Sequence, residues 1–408
     1  VSKELQLCAR VTGTVMALCL GAAAWAATPK IQPSPPTPVN WNAECVGYYT
    51  VGVPGDLLHA TSDPQSLPLR GGDGNLGGTL GARQGLYLRS NAEDEVNTIG
   101  RDRALVISQP ATMADLQARL AQLNAQLAGE KKLLLELADD IESDKSYSGE
   151  SSYRVAAAKI QFYQSASNGA AFYFLSIPKY PPPGFIPHKL TLVALVGDRM
   201  VSAHRAIDGT PQQTIDNFLK NYKPRKTFEI PTEPGVCVPY GFVTGEKEPA
   251  DIGMSWRLLE RPDIVVYLRA TDASSNSPED PKEYLRAKGG IHAFVNSVMV
   301  KTLDGPLFPF HKVEIDGHRG LGAYTLVLRG AQDGYETNNP ATKNEDWGYI
   351  AYVPGIAGAK PGESFNLMFK VERFGRFAKK PMSEKEFRTL VKRIEASIRR
   401  RPGAWVVQ

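Results

Sequence analysis

Two stretches of this chain open in the same way. Cys45-Val46-Gly47-Tyr48-Tyr49-Thr50-Val51-Gly52-Val53-Pro54 and Cys237-Val238-Pro239-Tyr240-Gly241-Phe242-Val243 each begin with a cysteine and continue in aromatic and β-branched residues. That composition belongs to half-buried strands. In the first stretch Tyr49, Val51 and Val53 alternate with Tyr48, Thr50 and Gly52, the period of two that places one set of side chains on a core. Each opening leads into further strands and at least one helix, and each half closes on a capped helix. The expected fold is therefore α+β in two domains, each a mostly antiparallel sheet with packed helices. A divergent duplication would produce such a shared plan. With 408 residues, the chain has length enough for two such cores.

Local signals fill in the halves. In the first, Thr112 and Asp115 predict a helix start of the capping-box type. Leu116, Leu120, Leu123, Leu127, Leu134, Leu137 and Ile141 then step along one helical face. Gly129 marks a conceivable break. Gly197-Asp198 between two apolar runs reads as a hairpin. Thr210, Pro211 and Gln213 start the closing helix. The second half shows strand patterns near 252–259, 263–270, 293–300, 311–316, 321–329, 347–353 and 364–372. It ends on a helix capped by Ser383 and Glu386 and carrying Phe387, Leu390, Val391, Ile394 and Ile398 inward. The charged, proline-bearing segment 223–233 is the expected boundary, giving domains 41–226 and 227–408.

The first forty residues read as an address. Lys3 and Arg10 precede a mostly apolar run that is short for a membrane span, and Ala24-Trp25-Ala26 is a small-x-small cleavage pattern. Residues 1–26 are thus expected to be a signal peptide and residues 27–40 a proline-rich linker, with a periplasmic product that has no stable membrane insertion after cleavage. Export leaves two cysteines, Cys45 and Cys237. Two readings stand for them. They form a bridge, as an oxidising compartment permits, or they are separate buried thiols. Their placement in different halves and the strict geometry of a disulfide favour the thiols.

Catalytic motifs are missing. The string Gly72-Asp73-Gly74-Asn75-Leu76-Gly77 lacks the strand before it and the helix after it that a phosphate-binding turn requires. No GxSxG, HExxH or CxxC occurs. No catalytic, cofactor-binding or metal-binding residue is assigned, and no cofactor is expected. The balance of 47 Lys and Arg against 43 Asp and Glu leaves +4, too even to argue for nucleic acid. The charges do gather at the end: nine Lys and Arg against three Glu between Lys379 and Arg401. An anionic surface would attract them, but a solvated helix face is the expected reading. What remains is contact chemistry. Tyr180 and Phe185 stand on a proline-rich loop, Phe308 on a second loop, and Tyr335 and Trp347 on a long polar one. Aromatic loop residues of this kind are the expected partner-binding anchors.

Trp41, the run from Cys45 to Pro54 and the second opening from Cys237 to Val243 together resemble the exported immunity proteins that protect bacteria from type VI secretion phospholipase effectors. The resemblance spans the expected mature chain, with Tyr48 and Pro239-Tyr240 departing from the family's usual residues. It implies a non-enzymatic periplasmic inhibitor that binds a cognate lipase effector as a heterodimer. For the group paired with the fourth lipase-effector class it implies two domains gripping the lipase and blocking lid opening or substrate access. A periplasmic lipid- or peptide-binding module is the alternative, and a hydrolase with an unrecognised site the more remote one.

Overall fold

In a computed structural model of the chain, the structure describes residues 40–61, 97–98, 104–143, 151–159, 162–165, 169–172, 189–206, 210–244, 251–274, 280–288, 300–302, 310–328 and 345–404. The expected signal peptide, nearly all of the linker and the glycine-rich loop beyond residue 61 lie outside the described residues.

The chain begins with β1 (Trp41–Val46), β2 (Tyr49–Pro54) and β3 (Leu57–His59), followed by β4 (Asn97–Thr98) and β5 (Ala104–Pro110). The long helix α1 (Met113–Glu142) and the short α2 (Ser152–Lys159) come next, then β6 (Phe162–Ser165), β7 (Gly169–Phe172), β8 (Lys189–Val196) and β9 (Arg199–Ala206). Helix α3 (Pro211–Asn221) leads to β10 (Tyr222–Pro224), β11 (Val236–Val238) and β12 (Gly241–Val243). The remainder comprises β13 (Ile252–Leu258), β14 (Ile264–Asp272), α4 (Pro281–Lys288), β15 (Val300–Thr302), β16 (His311–Ile315) and β17 (His318–Leu328). It closes with β18 (Glu345–Val353), β19 (Phe365–Arg373), α5 (Glu384–Ser397) and β20 (Arg399–Arg400).

Four antiparallel sheets result, which is the α+β class the patterns predict. One sheet of six strands has the order β4-β5-β9-β8-β7-β6. A sheet of eight has the order β15-β17-β18-β19-β14-β13-β3, with β16 also on β17. Two small sheets have the orders β1-β2-β20 and β10-β12-β11. A duplicated plan does not emerge among the described residues, since the two larger sheets differ in strand number and order.

Strand pairing does not follow the expected boundary near residue 226. The N-terminal β3 pairs with β13 as the last strand of the eight-stranded sheet, Trp256 opposite His59. The C-terminal β20 pairs with β2, Tyr49 opposite Arg400. Residues 35–408 form one compact unit. Its main apolar core joins Val51 and Leu57 with Leu192, Ile215, Trp256, Phe369 and Phe387. The second Cys-led opening shares that core through Val236, Val238 and Val243.

The local rules explain the helices. Thr112, Thr210 and Ser383 each accept a hydrogen bond from the backbone N–H three residues on, and the side-chain oxygens of Asp115, Gln213 and Glu386 in turn accept one from the backbone N–H of the cap. Two otherwise orphaned N–H groups are thereby satisfied at each start. The leucine seam of α1 meets the six-stranded sheet through Leu116, Leu120, Leu123 and Leu127 against Val193 and Met200. Further on, Arg154 of α2 clamps Glu142 at 2.7 Å and Asp139 at 2.5 Å. The helix runs straight through Gly129, whose missing side chain faces open space. Glycine in an exposed helix interior costs entropy that alanine avoids. Gly129→Ala is therefore expected to raise the unfolding free energy by about 1 kcal/mol, read from urea denaturation followed by circular dichroism. An unchanged or lowered midpoint would show that the helix needs a break there.

Candidate functional site

Beneath the junction of β1, β3 and the β10–β12 sheet lies a node of buried charge. Glu44 on β1 is wholly buried, as is His59 at the end of β3, and the Arg225 side chain just after β10 is buried too. Arg225 Nη2 donates to Glu44 Oε1 at 2.6 Å. Other guanidinium N–H groups reach the carbonyls of Glu229 at 3.0 Å and Lys226 at 3.2 Å, with longer contacts to Cys45, Val238 and Gly241. Glu44 Oε2 accepts from the Phe228 N–H at 2.7 Å, and Phe228 takes a left-handed φ of 66° to present it. His59 Nε2 stands 3.4 Å from Glu44 Oε1. A buried ion pair is favourable only when its remaining donors and acceptors are matched, as those of Glu44 and Arg225 are, although the two ring nitrogens of His59 beside them lie outside hydrogen-bond geometry.

The environment sets each charge. Burial pushes the Glu44 carboxyl up, but His59, the Arg225 charge and the Phe228 N–H together outweigh it and hold the carboxyl below its usual range. Burial dominates at His59 and pushes it down despite Glu44, so the imidazole is neutral at pH 7. Tyr240 roofs the node. It sits at a left-handed φ of 54° in the turn between β11 and β12. Its hydroxyl accepts from the His59 N–H at 3.3 Å, and its ring lies edge-on to the imidazole. The Arg199 guanidinium, at the start of β9, stacks on the ring at 3.6 Å from the centroid. This cation–π contact adds to the shared apolar core in tying the six-stranded sheet to the β10–β12 sheet.

This node resembles a catalytic pair only in residue types. A histidine beside a carboxylate needs a nucleophile or a substrate within reach. Both side chains here have no exposed surface. Its work is structural, holding the N-terminal strands onto residues 225–241. A disulfide reinforces that join: Cys45 and Cys237 are bonded, with Cα atoms 5.8 Å apart. This corrects the expectation of separate thiols. That expectation assigned the cysteines to separate units, whereas Gly47 and Cys237 exchange backbone hydrogen bonds at 3.0 and 2.9 Å and bring β1 alongside β11.

The expected aromatic anchors divide. Tyr180, Phe185, Phe308 and Tyr335 lie outside the described residues. Trp347 is a core residue, only 7% exposed. It belongs to β18, where Trp347, Tyr349, Ala351 and Val353 face the main core and Ile350 and Tyr352 face the other side with α4. Its ring packs on Phe387 and lies under the Arg373 guanidinium at 4.6 Å. Arg373 in turn reaches the buried Asp263 at 3.2 Å. The alternation was readable from Trp347 onward, and it outweighs the polar loop preceding it.

Exposed apolar side chains mark the surface instead. Ile356 is 57% exposed on the turn between β18 and β19, and Leu133 and Leu259 are each 52% exposed. The Ile356 turn is pre-set: the Gly355 N–H donates to Asn366 Oδ1, the Ile356 N–H to Ser364 Oγ and the Gly362 N–H to Asp272 Oδ1, each at 2.8 Å. Leu133 and Leu137 stand one helical turn apart on α1. A preordered apolar side chain loses little entropy on binding, which suits it to contact rather than chemistry. Sequence reading overlooked Ile356, although it is a lone isoleucine in a Gly-, Pro- and Ala-rich turn. Among the described residues, no group of three or more His, Cys, Asp or Glu is placed to hold a metal ion. No described helix is long and apolar enough to cross a membrane.

On the inner face of α5, the Tyr349 hydroxyl donates to Glu395. Burial pushes the Glu395 carboxyl up to about 6, against the opposing hydrogen bond and the Lys392 charge. Below pH 4.5 both folded and unfolded chains carry it protonated, and no cost arises. As pH rises toward 6 the unfolded chain ionises first, so folding loses about 2 kcal/mol that is fully lost by pH 7. Glu395→Gln is expected to gain that amount on the wild type between pH 4 and 7, measured by urea denaturation at both. A constant difference across the range would refute the buried-carboxyl assignment.

A family model described as the Tle cognate immunity protein 4 C-terminal domain matches residues 229–403. That segment runs from just before β11 to just past β20. No curated protein matches the chain. Several solved structures are similar, among them the following two. One is the immunity protein TplEi of the type VI secretion system of Pseudomonas aeruginosa, complexed with a peptide designated L. It is 13% identical over 89% of this chain and 99% of that one, with a TM-score of 0.48. The other is the Tle4–Tli4 complex, 14% identical over 90% of this chain and 99% of that one, with a TM-score of 0.47. TM-scores of this size do not establish a shared fold.

Proposed function

Starting from residues 229–403, which belong to the Tle cognate immunity protein 4 C-terminal domain family, we propose that the whole chain is an immunity protein that neutralises a type VI secretion lipase effector by binding it. It acts as a stoichiometric inhibitor, not as a catalyst. The family match is the observation that carries this reading. The build of the molecule supports it: the polar node is sealed in the interior, and exposed apolar residues such as Ile356 are held on hydrogen-bonded turns.

The inhibitor works in the periplasm, reached through the signal peptide at residues 1–26. The fully buried Cys45–Cys237 bridge supports that location, because such bonds form in oxidising compartments. It grips the lipase with two patches, one from each half of the chain, and so blocks lid opening or substrate access. Engagement of the second patch is then intramolecular, which slows dissociation. Ile356, together with Tyr180, Phe185, Phe308 and Tyr335, supplies contacts. Burial of about 1,600 Å² or more is expected.

The test is to co-express the mature chain with its cognate lipase, purify the pair and titrate phospholipid hydrolysis. The reading requires a one-to-one complex and activity that falls to zero at equimolar inhibitor. Failure to co-purify together with unchanged hydrolysis would overturn it. Alanine at a true contact should cost about 2 kcal/mol or more of binding. If none of the five substitutions weakens the complex, the contact surface lies elsewhere while the function stands.

A further inference from the structure

The structure sorts the nine cations between Lys379 and Arg401 into two groups. Four are committed to the fold. Arg388 pairs with Glu384 at 2.7 Å and lies over the Tyr324 ring. Arg399 sits half-buried in β20 opposite Thr50. The Arg400 side chain donates to the carbonyls of Gly362 and Glu363. Arg401 is buried and donates to the carbonyls of Pro231, Glu233 and Gly235 at 2.6, 2.9 and 2.7 Å. The acids of the segment are committed as well: Glu384 to Arg388, Glu386 to the cap at Ser383, and Glu395 inward to Tyr349.

Five cations remain on the outside: Lys379, Lys380, Lys385, Lys392 and Arg393, all exposed. Lys380 is held in place through its carbonyl, which accepts from Arg261. Lys385 and Lys392 are seven residues apart on α5, two turns or about 10 Å along one stripe. Arg393 stacks on Trp41 at 4.6 Å, keeping its charge outward. The neighbouring β16 adds Lys312 and Glu314, which balance each other. The capping geometry and the inward Glu395 therefore expose a net positive face that the charge total of the chain conceals.

We propose that this face docks the protein on an anionic phospholipid surface. The residue types decide between lipid and protein. Protein interfaces are enriched in arginine and depleted in lysine, because the guanidinium fork recognises carboxylates bidentately. Four of the five cations here are lysines, compact charges suited to the diffuse field of anionic headgroups. All of them lie on or just before one helix whose apolar side, Phe387, Val391 and Ile394, is already spent on the core. The attachment is accordingly electrostatic and reversible, without insertion. It would concentrate the protein on the surface where phospholipid is attacked.

The experiment is co-sedimentation of the mature chain with vesicles, and it needs no lipase, so it stands or falls apart from the inhibitor reading. On phosphatidylethanolamine vesicles containing about 30 mol% phosphatidylglycerol at low salt, binding is expected, and on pure phosphatidylcholine none. Raising salt to about 0.5 M should release the protein, since the Debye length shrinks to a few ångströms. The double variant Lys385→Glu/Lys392→Glu should weaken vesicle binding by about 25-fold or more, at roughly fivefold for each charge removed. Circular dichroism of the variant should be unchanged, as both side chains are exposed. Equal binding to neutral vesicles, no binding to anionic ones, or wild-type binding by the double variant would each overturn the proposal.

Discussion

Replacing Arg225 with methionine is expected to lower the unfolding free energy by about 3–5 kcal/mol, the range for breaking one partner out of a buried ion pair. The side chain has the size of the arginine stem and opens no large cavity. The cost comes from what it abandons. Glu44 would keep its charge with only the Phe228 N–H and a neutral His59 nearby, the Glu229 carbonyl would lose its Arg225 donor, and the Lys226 carbonyl would keep only the Glu229 N–H. The pH profile distinguishes this from loose packing. In the wild type the Glu44 carboxyl is held low, so its contribution is present at neutral pH and is lost as pH falls through the carboxylate range. Without Arg225 burial is opposed only by His59 and the Phe228 N–H, the carboxyl rises, and acid should relieve the variant relative to the wild type. The double variant Glu44→Gln/Arg225→Met should lose less than the sum of the two single changes. Urea denaturation at pH 7 and pH 5 reads all three. A loss under about 1 kcal/mol at pH 7 would mean that the node is dispensable.

Removing the disulfide should cost nearly as much. Cys45 and Cys237 are 192 residues apart, a long loop to leave open in the unfolded chain. Cys45→Ala/Cys237→Ala is expected to lower stability by about 2–5 kcal/mol. Both cysteines are fully buried with Phe242 and Ile230 around them. The folded protein should therefore resist a thiol reductant and become reducible only where denaturant opens it. Alkylation followed by mass measurement reads the bond directly. Rapid reduction of the native protein, or an unchanged unfolding midpoint in the double variant, would contradict the structure. Arg225 Nη2 also contacts the Cys45 carbonyl. The disulfide and the ion pair hold one join, so their losses should not add independently.

The join itself was not readable from the chain, while much around it was. Thr112 with Asp115, Thr210 with Gln213 and Ser383 with Glu386 all form the caps their spacing predicts. Each is a reciprocal pair three residues apart, so the information is complete within one turn. The hairpin at Gly197-Asp198 forms for the same local reason, with Gly197 at φ 65° and Val196 opposite Arg199. Trp347 shows how a local pattern is misread when the wrong one is followed. Its polar approach suggests a loop, yet its alternation with Tyr349, Ala351 and Val353 places it in the core. The surface contacts were less legible. Ile356 becomes a candidate only because Asn366 and Ser364 fix the turn beneath it.

The basic end of the chain shows the same division in charges. Nine cations and three acids are visible in the sequence, but not which of them are spent. Arg401 caps three carbonyls at 231–235 and its own N–H donates to Tyr48. A string of Arg399, Arg400 and Arg401 at a helix end resembles a solvated run, and burial of its last member depends on loops more than 160 residues away.

The α+β class, the helix starts and the alternating strand faces were legible in the residues alone. These depend on periods of 2 and 3.6 residues and on hydrogen bonds within one turn. Only the tertiary structure decided the pairing of Cys45 with Cys237, the Glu44–Arg225 node, the burial of Arg401 and the attachment of β3 to β13. Each of these joins residues far apart in the chain, and no local composition specifies a distant partner. Where the chain returns is set by the sum of core packing, so the join between its two ends appears only once that packing is complete.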